Sequence, residues 1–243
     1  NATGHRVEGS VPHDIHWLGH GTHTSGTVSG GDASGQYIGV APNVSLIHAL
    51  AAGNGDYRDY GQTIASIQWA VKENAEVISM SLGWDCDAYI NDFLDPVLNA
   101  QSAGAVVVVS AGNSNEGCHH TPGNIYDALT IGASNSNKSI ATFSSGDVVN
   151  ASGFNDTPSD WPSEYVIPDV SAPGVNVRSS SKFGNPEYRY IELSGTSMAA
   201  PHVSGAAALM ESATQENLSP QEIKSALIET AWKPADCTPN CTP

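Results

Sequence analysis

Three short segments contain residue types that perform nucleophilic chemistry when they meet. In Gly195-Thr196-Ser197-Met198-Ala199-Ala200-Pro201-His202 a serine stands where a glycine-containing turn gives way to an alanine-rich helical stretch. A hydroxyl there gains from exposed amides and from the positive end of the helix. Ala199 excludes the Gly-x-Ser-x-Gly elbow of the other large hydrolase class. Taken alone, the segment fits a plain helix cap better than a nucleophile. Gly19-His20-Gly21-Thr22-His23 sets a histidine at the start of a small-residue stretch that a neighbouring backbone can approach closely. Val106-Val107-Val108-Val109-Ser110-Ala111-Gly112-Asn113 ends an apolar run in a Gly-Asn turn, and an amide there could face developing negative charge. Serine, imidazole and amide donor together suit acyl transfer.

These segments need elements to hold them. From about Val44 onward, short apolar runs alternate with helical patterns, the rhythm of repeated βαβ units around a parallel sheet. Expected strands are Val44 to Ala49, Val77 to Leu82, Ala105 to Ser110 and Ala128 to Ala133, each with the composition of a strand buried on both faces. Tyr60 to Glu73 and Ile90 to Ala103 carry apolar residues at three- and four-residue spacings and are expected to be crossover helices. Ser144 to Pro173, rich in Gly, Pro, Ser and Asn, reads as a long surface excursion. Met198 to Ser212 favours helix. Ser219 to Thr230 announces another, with Ser219 as cap, Pro220 at the first position and Glu222 at the third.

The 243 residues suffice for one large domain. Apolar residues make up 40% and no run of 18 is apolar throughout, so neither disorder nor a spanning helix is indicated. Twenty-five acidic residues against nine Lys and Arg give a net charge of -16, which disfavours nucleic acid and anionic membranes as partners. Cys86, Cys118, Cys237 and Cys241 lack paired C-x-x-C units, so disulfides in an oxidising compartment are expected, with three pairings open. Sequons at Asn1, Asn43, Asn137, Asn150, Asn155, Asn217 and Asn240 also point outside the cytosol.

In their order, the His-Gly-Thr-His, Ala-Gly-Asn and Gly-Thr-Ser-Met-Ala-x-Pro-His motifs resemble those of the subtilisin-like serine proteases, the subtilases. The similarity runs through Gly39-Val-Ala-Pro42, Ile78-Ser-Met-Ser-Leu-Gly83 and Pro168-Asp-Val-Ser-Ala-Pro-Gly174, covering most of the chain from Gly19 to about Thr230. Within the family, the Cys118 loop, Ile125-Tyr-Asp-Ala128 and Ala141-Thr-Phe-Ser-Ser145 look most like the bacillopeptidase F branch. The resemblance implies a three-layer α/β fold with a mostly parallel central sheet. It makes His20 the general base, Ser197 the nucleophile and Asn113 the oxyanion donor that pairs with the Ser197 amide, in a secreted endopeptidase. It makes Ser81-Leu82-Gly83 and the stretch Gly55 to Tyr60 the two edges that clamp an extended polypeptide substrate. Its topology sets the strands before Cys86 and Cys118 side by side and so pairs those cysteines, leaving Cys237 and Cys241 as a short local pair. Structural calcium is implied without a ligand set, and none is needed for the chemistry.

One departure stands out. Subtilases place a triad aspartate at the end of an apolar strand about thirty residues before the histidine, and only nineteen residues precede His20. Their one aspartate, Asp14, lies in His13-Asp-Ile-His-Trp-Leu with no apolar strand and no evident route to the imidazole. The expectation is a single catalytic domain, residues 1–243, amino-terminally incomplete and lacking its first Asp-bearing strand, with the aspartate supplied by a separate segment or a propeptide as partner. A pseudoenzyme that holds peptides uncut is the rival reading. His13, His16, His20 and His23, spaced three, four and three apart, could line one helical face as a metal site, but Gly19 and Gly21 interrupt it. His119 and His120 read as a solvated loop, and His202 as a packed helix residue.

Overall fold

The computed structural model describes residues 14–33, 35–52, 60–183, 189–214 and 218–233. Its helices are α1 (His20–Ser29), α2 (Tyr60–Lys72), α3 (Leu94–Ser102), α4 (Thr196–Ala213) and α5 (Pro220–Thr230). Its strands are β1 (Val77–Met80), β2 (Trp84–Cys86), β3 (Val106–Ser110), β4 (His120–Thr121), β5 (Leu129–Ser134), β6 (Asp147–Asn150), β7 (Glu164–Ile167), β8 (Val170–Pro173), β9 (Val177–Ser180) and β10 (Tyr190–Leu193). The central sheet runs β1-β3-β5-β8, and its three pairings are parallel, with Ile78 opposite Val107, Val109 opposite Thr130 and Ile131 opposite Val170.

Every residue of β3 is buried, because helices cover both faces of the sheet. Its side chains alternate between two cores. Val107 and Val109 join Ile78, Met80, Phe93 and Val97 beside α2 and α3. Val106 and Val108 join Ile131, Ala199, Val203 and Ile223 beside α4 and α5. The result is the expected three-layer α/β arrangement. The Ser219 cap and Glu222 form a reciprocal capping box with Pro220 at the first helical position of α5. Lys224 then ties α5 to the sheet through Asp169, 2.9 Å away, whose other oxygen accepts the Thr130 amide.

Two expectations are corrected. Val44 to Ala49 is not a strand: no described segment pairs with it, and a strand without a neighbour leaves its amides and carbonyls unbonded. Leu46 and Ile47 lie exposed on it, at 38% and 46%, as does Leu50 just beyond, at 50%. Ser144 to Pro173 is more than a surface excursion. It forms the antiparallel hairpin β6–β7 and then β8, an outer strand of the main sheet. Val149, Phe154, Trp161, Tyr165 and Ile167 from it enter the core with α2 and α3.

Candidate active site

The carboxyl ends of β1 and β3 meet the amino end of α4, and the expected nucleophile and oxyanion donor lie at that junction. Thr196, the first residue of α4, donates from its backbone N–H (2.9 Å) and its hydroxyl (3.1 Å) to Asn113 Oδ1. A backbone N–H can only donate, so the amide is oriented with its oxygen toward Thr196 and Nδ2 left as a free donor. Gly112 N–H in turn donates to Thr196 Oγ1 (3.1 Å), clamping the turn to the helix. Met198 N–H bonds Gly195 O (3.0 Å), but the intervening Ser197 N–H has no acceptor among the described residues. It is one of the orphan amides of a helix start. Asn113 Nδ2 and Oδ1 each lie 3.6 Å, and Ser197 N 3.7 Å, from the position a side-chain carbon on Gly195 would take, so the Asn113 amide and the Ser197 N–H border one small space. Ser81 Oγ holds Ser197 O (2.8 Å), and Ser197 Oγ reaches Ser81 O at 3.4 Å.

His20 is the first residue of α1, which packs against α4. Val28 O lies 3.5 Å from a side-chain position on Gly205, where the two helices approach closely. Gly19 turns the chain into α1 in the left-handed region (φ 73°), where a side chain would also meet Lys182 Cγ at 2.8 Å. Asp14 hydrogen-bonds this turn and not the imidazole. Its Oδ2 accepts the Thr22 N–H (2.6 Å) and hydroxyl (2.8 Å), and its Oδ1 accepts the His16 N–H (3.0 Å), a cap for the start of α1. Burial opposes the Asp14 charge, but the Thr22 and His16 bonds outweigh it and hold the carboxyl below its usual range.

Among the described residues nothing hydrogen-bonds the His20 ring; its nearest aromatic neighbour is His16, with centroids 5.5 Å apart. Burial, followed by the like-charged His16 and His23, pushes its pKa down to about 4, with Asp14 pulling weakly the other way. The imidazole is thus neutral and poorly supported as a cation. His23 is buried with Nε2 on Val177 O (2.9 Å) and Ile191 O (3.2 Å), turned toward the β9–β10 hairpin. His16 precedes α1 and so does not share a helical face with His20 and His23, and His13 lies outside the described residues. His202 packs within α4 with Nδ1 on Met198 O at 2.8 Å.

Ser81, Leu82 and Gly83 continue the chain beyond β1 toward the oxyanion turn, and Ser110 Oγ contacts Leu82 O at 3.4 Å. Tyr60 opens α2 with its ring edge-on to Trp84 (5.4 Å) and Phe93 (5.6 Å), so what it can offer a substrate is main chain. Gly55 to Asp59 lie outside the described residues, as do Cys237 and Cys241. Cys86 and Cys118 are joined in a disulfide that links β2 to the loop after Asn113.

His119 and His120 are not a solvated loop. His119 is 3% exposed, and its Nδ1 lies 3.0 Å from Asn124 Nδ2, which also donates to Ala88 O. His120 lies between the oxyanion turn and Gly83. Sequence reading missed both because adjacent polar residues give no sign of which way a short strand turns them. It also missed Thr196 as the anchor of Asn113, although that residue stands inside the serine motif. Ligating atoms of Asp87, His119 and Asp147 lie within 4.8 Å of one another. They do not fit calcium, which needs six to eight oxygen ligands, and Asn124 donating to Nδ1 leaves the other His119 nitrogen carrying its proton.

The family model of the subtilases (Peptidase_S8) matches residues 7–240. Subtilisin DY of Bacillus licheniformis is 36% identical over 90% of this chain and 72% of its own length. The major intracellular serine protease of Bacillus subtilis is 37% identical over 86% of this chain and 61% of its own. Among solved structures, Sphericase superposes with a TM-score of 0.67 at 32% identity, covering 87% of this chain and 69% of that one. The prenylagaramide maturation protease PagA, with a TM-score of 0.72 at 24% identity over 94% of this chain and 76% of that one, shares the fold. The chain belongs to the subtilase family.

Proposed function

We propose that this protein is a secreted serine endopeptidase that hydrolyses polypeptides through an acyl-enzyme on Ser197. His20 takes the Ser197 proton as the hydroxyl attacks the peptide carbonyl and returns it to the leaving amine, and water then hydrolyses the ester. The observation that carries this reading is the pair of unclaimed donors, Asn113 Nδ2 and Ser197 N–H, bordering one space beside the Ser197 segment. Donors held in place before charge develops suit an oxyanion. Ser81, Leu82 and Gly83 form one edge for the substrate main chain and the segment ending at Tyr60 the other. The branch within the family rests on the motifs quoted above and is proposed as bacillopeptidase F-like.

His20 requires a carboxylate to fix its tautomer and stabilise its cation. We place that group on a strand added at the open edge of β1, either from a separate amino-terminal segment or from the natural protein. Support comes from three features: β1 ends the sheet among the described residues, Ser79 on it is exposed, and Leu46, Ile47 and Leu50 are exposed. A groove lined by Pro42, Val44, Glu76, Leu209 and Glu211 opens beside the start of β1. Secretion is supported by the Cys86–Cys118 disulfide and by exposed sequon asparagines at Asn43, Asn137, Asn150 and Asn155, which we propose as glycosylation sites. Among the described residues no helix is long and apolar enough to cross a membrane. Structural calcium, a propeptide partner and a second disulfide between Cys237 and Cys241 belong to the same proposal.

The test is incubation of the natural protein with an unfolded polypeptide. Internal cleavage that falls by about 10⁶-fold in turnover in Ser197→Ala is expected. Binding without cleavage would instead favour a peptide-holding pseudoenzyme, and cleavage surviving Ser197→Ala would remove the serine from the chemistry.

A further inference from the structure

We propose that His120 sets substrate preference by closing the bottom of the crevice between the Ser81–Gly83 edge and the oxyanion turn, so that small side chains are accepted at the residue whose carbonyl is attacked. The inference rests on the proposed peptidase reading and names a specificity determinant within it.

β1 and β3 are neighbouring parallel strands, and the chain leaves their carboxyl ends through Gly83 and Gly112. Ligands of parallel sheets enter between such ends. A substrate residue with its main chain along Ser81–Gly83 and its carbonyl oxygen at Asn113 Nδ2 has this crevice as the place for its side chain. His120 spans it. The His120 Cβ lies 3.3 Å from a side-chain position on Gly83, while Cδ2, Nε2 and Cγ lie 2.0, 2.6 and 2.9 Å from one on Gly112. The imidazole thus rests directly on the Gly112 backbone, which has φ 108° and is restricted to glycine on both counts.

The ring is fixed in place. Its Nε2 lies 3.1 Å from Ser114 Oγ and 3.2 Å from Cys118 Sγ, and Cys118 is tied to Cys86, the register partner of His120. Cδ2 and Nε2 face Gly112, so the Nδ1–Cε1 edge points away from it, and His120 Nδ1 has no partner among the described residues. A half-buried ring held from behind gives the crevice a shallow floor. Hydrophobic pockets discriminate by only about 10- to 200-fold per methylene, but a ring-sized obstruction held on both sides blocks larger side chains by overlap.

The test compares two peptides that differ only at the residue before the cut bond, alanine in one and phenylalanine in the other, with the natural protein and with His120→Ala. The ratio of kcat/KM for phenylalanine over alanine is expected to rise by at least about tenfold in His120→Ala. Both peptides are read on one preparation, so a lower active fraction leaves the ratio intact. If His120→Ala yields no active protein, His120→Asn, shorter but still planar and polar, is expected to shift the ratio in the same direction by less. An equal loss on both peptides in whichever variant is active would show a purely structural role and overturn the inference. A natural protein that cuts neither peptide nor any unfolded polypeptide would fail the peptidase reading itself, a distinguishable result.

Discussion

The starts of α1 and α4, the two helices that carry the proposed base and nucleophile, are built differently. At α4, Asn113, Thr196, Gly112, Ser81 and Ser197 interlock by hydrogen bonds of 2.8 to 3.1 Å, with Asn113 Nδ2 and the Ser197 N–H beside one space. At α1, Asp14 and Gly19 position the backbone, but the His20 ring has no hydrogen-bond partner among the described residues and its cation is strongly disfavoured. In the proposed mechanism the donors of the oxyanion half are anchored by hydrogen bonds, whereas the imidazole of the base half has none among the described residues.

The largest expected effect concerns the carboxylate proposed for His20. Adding a carboxylate-bearing strand to the β1 edge, in cis or as a separate segment, is expected to raise turnover about 10⁴-fold over the 243-residue chain alone. The same addition should move the acidic limb of the kcat/KM profile upward from about 4, because a nearby carboxylate raises an imidazole pKa. Equal turnover with and without the strand, together with loss of activity in Asp14→Asn, would make Asp14 the third member and dissolve the contrast between the halves.

On the other side, Asn113→Leu is expected to lower kcat by about 10² to 10³ with little change in KM, as for loss of one oxyanion donor. An unchanged kcat would show that the interlocked turn serves only packing.

The smallest effect concerns acid stability. Burial lowers the pKa values of His20, His23, His119 and His202 in the fold, so below about 6.5 the unfolded chain binds more protons than the native one. Stability from these neutral rings is present above about 6.5 and is lost as pH falls toward the folded values. For His20 the loss is roughly 1 kcal/mol per pH unit down to about 4. Urea midpoints measured from pH 7 to pH 4.5 should fall, and fall less steeply in His20→Gln. Parallel slopes for the two proteins would place the His20 shift elsewhere.

What could be read from the residues followed from local rules that burial did not override. The run at β3, the helix at α3 and the Ser219–Glu222 box carry their own signals, and each appears where expected. Val44 to Ala49 failed because a strand is a relation between two segments, and an apolar run does not state whether its neighbour is present. The β6–β7 hairpin hid among Gly, Pro and Asn, yet its alternation was there: Val149, Tyr165 and Ile167 turn inward while Val148 and Val166 stay exposed. His119 and His120 were illegible because their surroundings come from Asn124 and Gly112, set by β4 pairing with β2. The serine, histidine and asparagine motifs were legible as a set, and the clamp between Thr196 and Asn113 was not.

The most direct measurement of the central claim is treatment of the natural protein with a phosphonylating reagent, followed by peptide mapping. A single modification on the peptide containing Ser197, absent from Ser197→Ala and accompanied by loss of cleavage, is the expected result. Modification at another serine, or cleavage that persists in the fully labelled protein, would contradict the assignment of Ser197 as nucleophile.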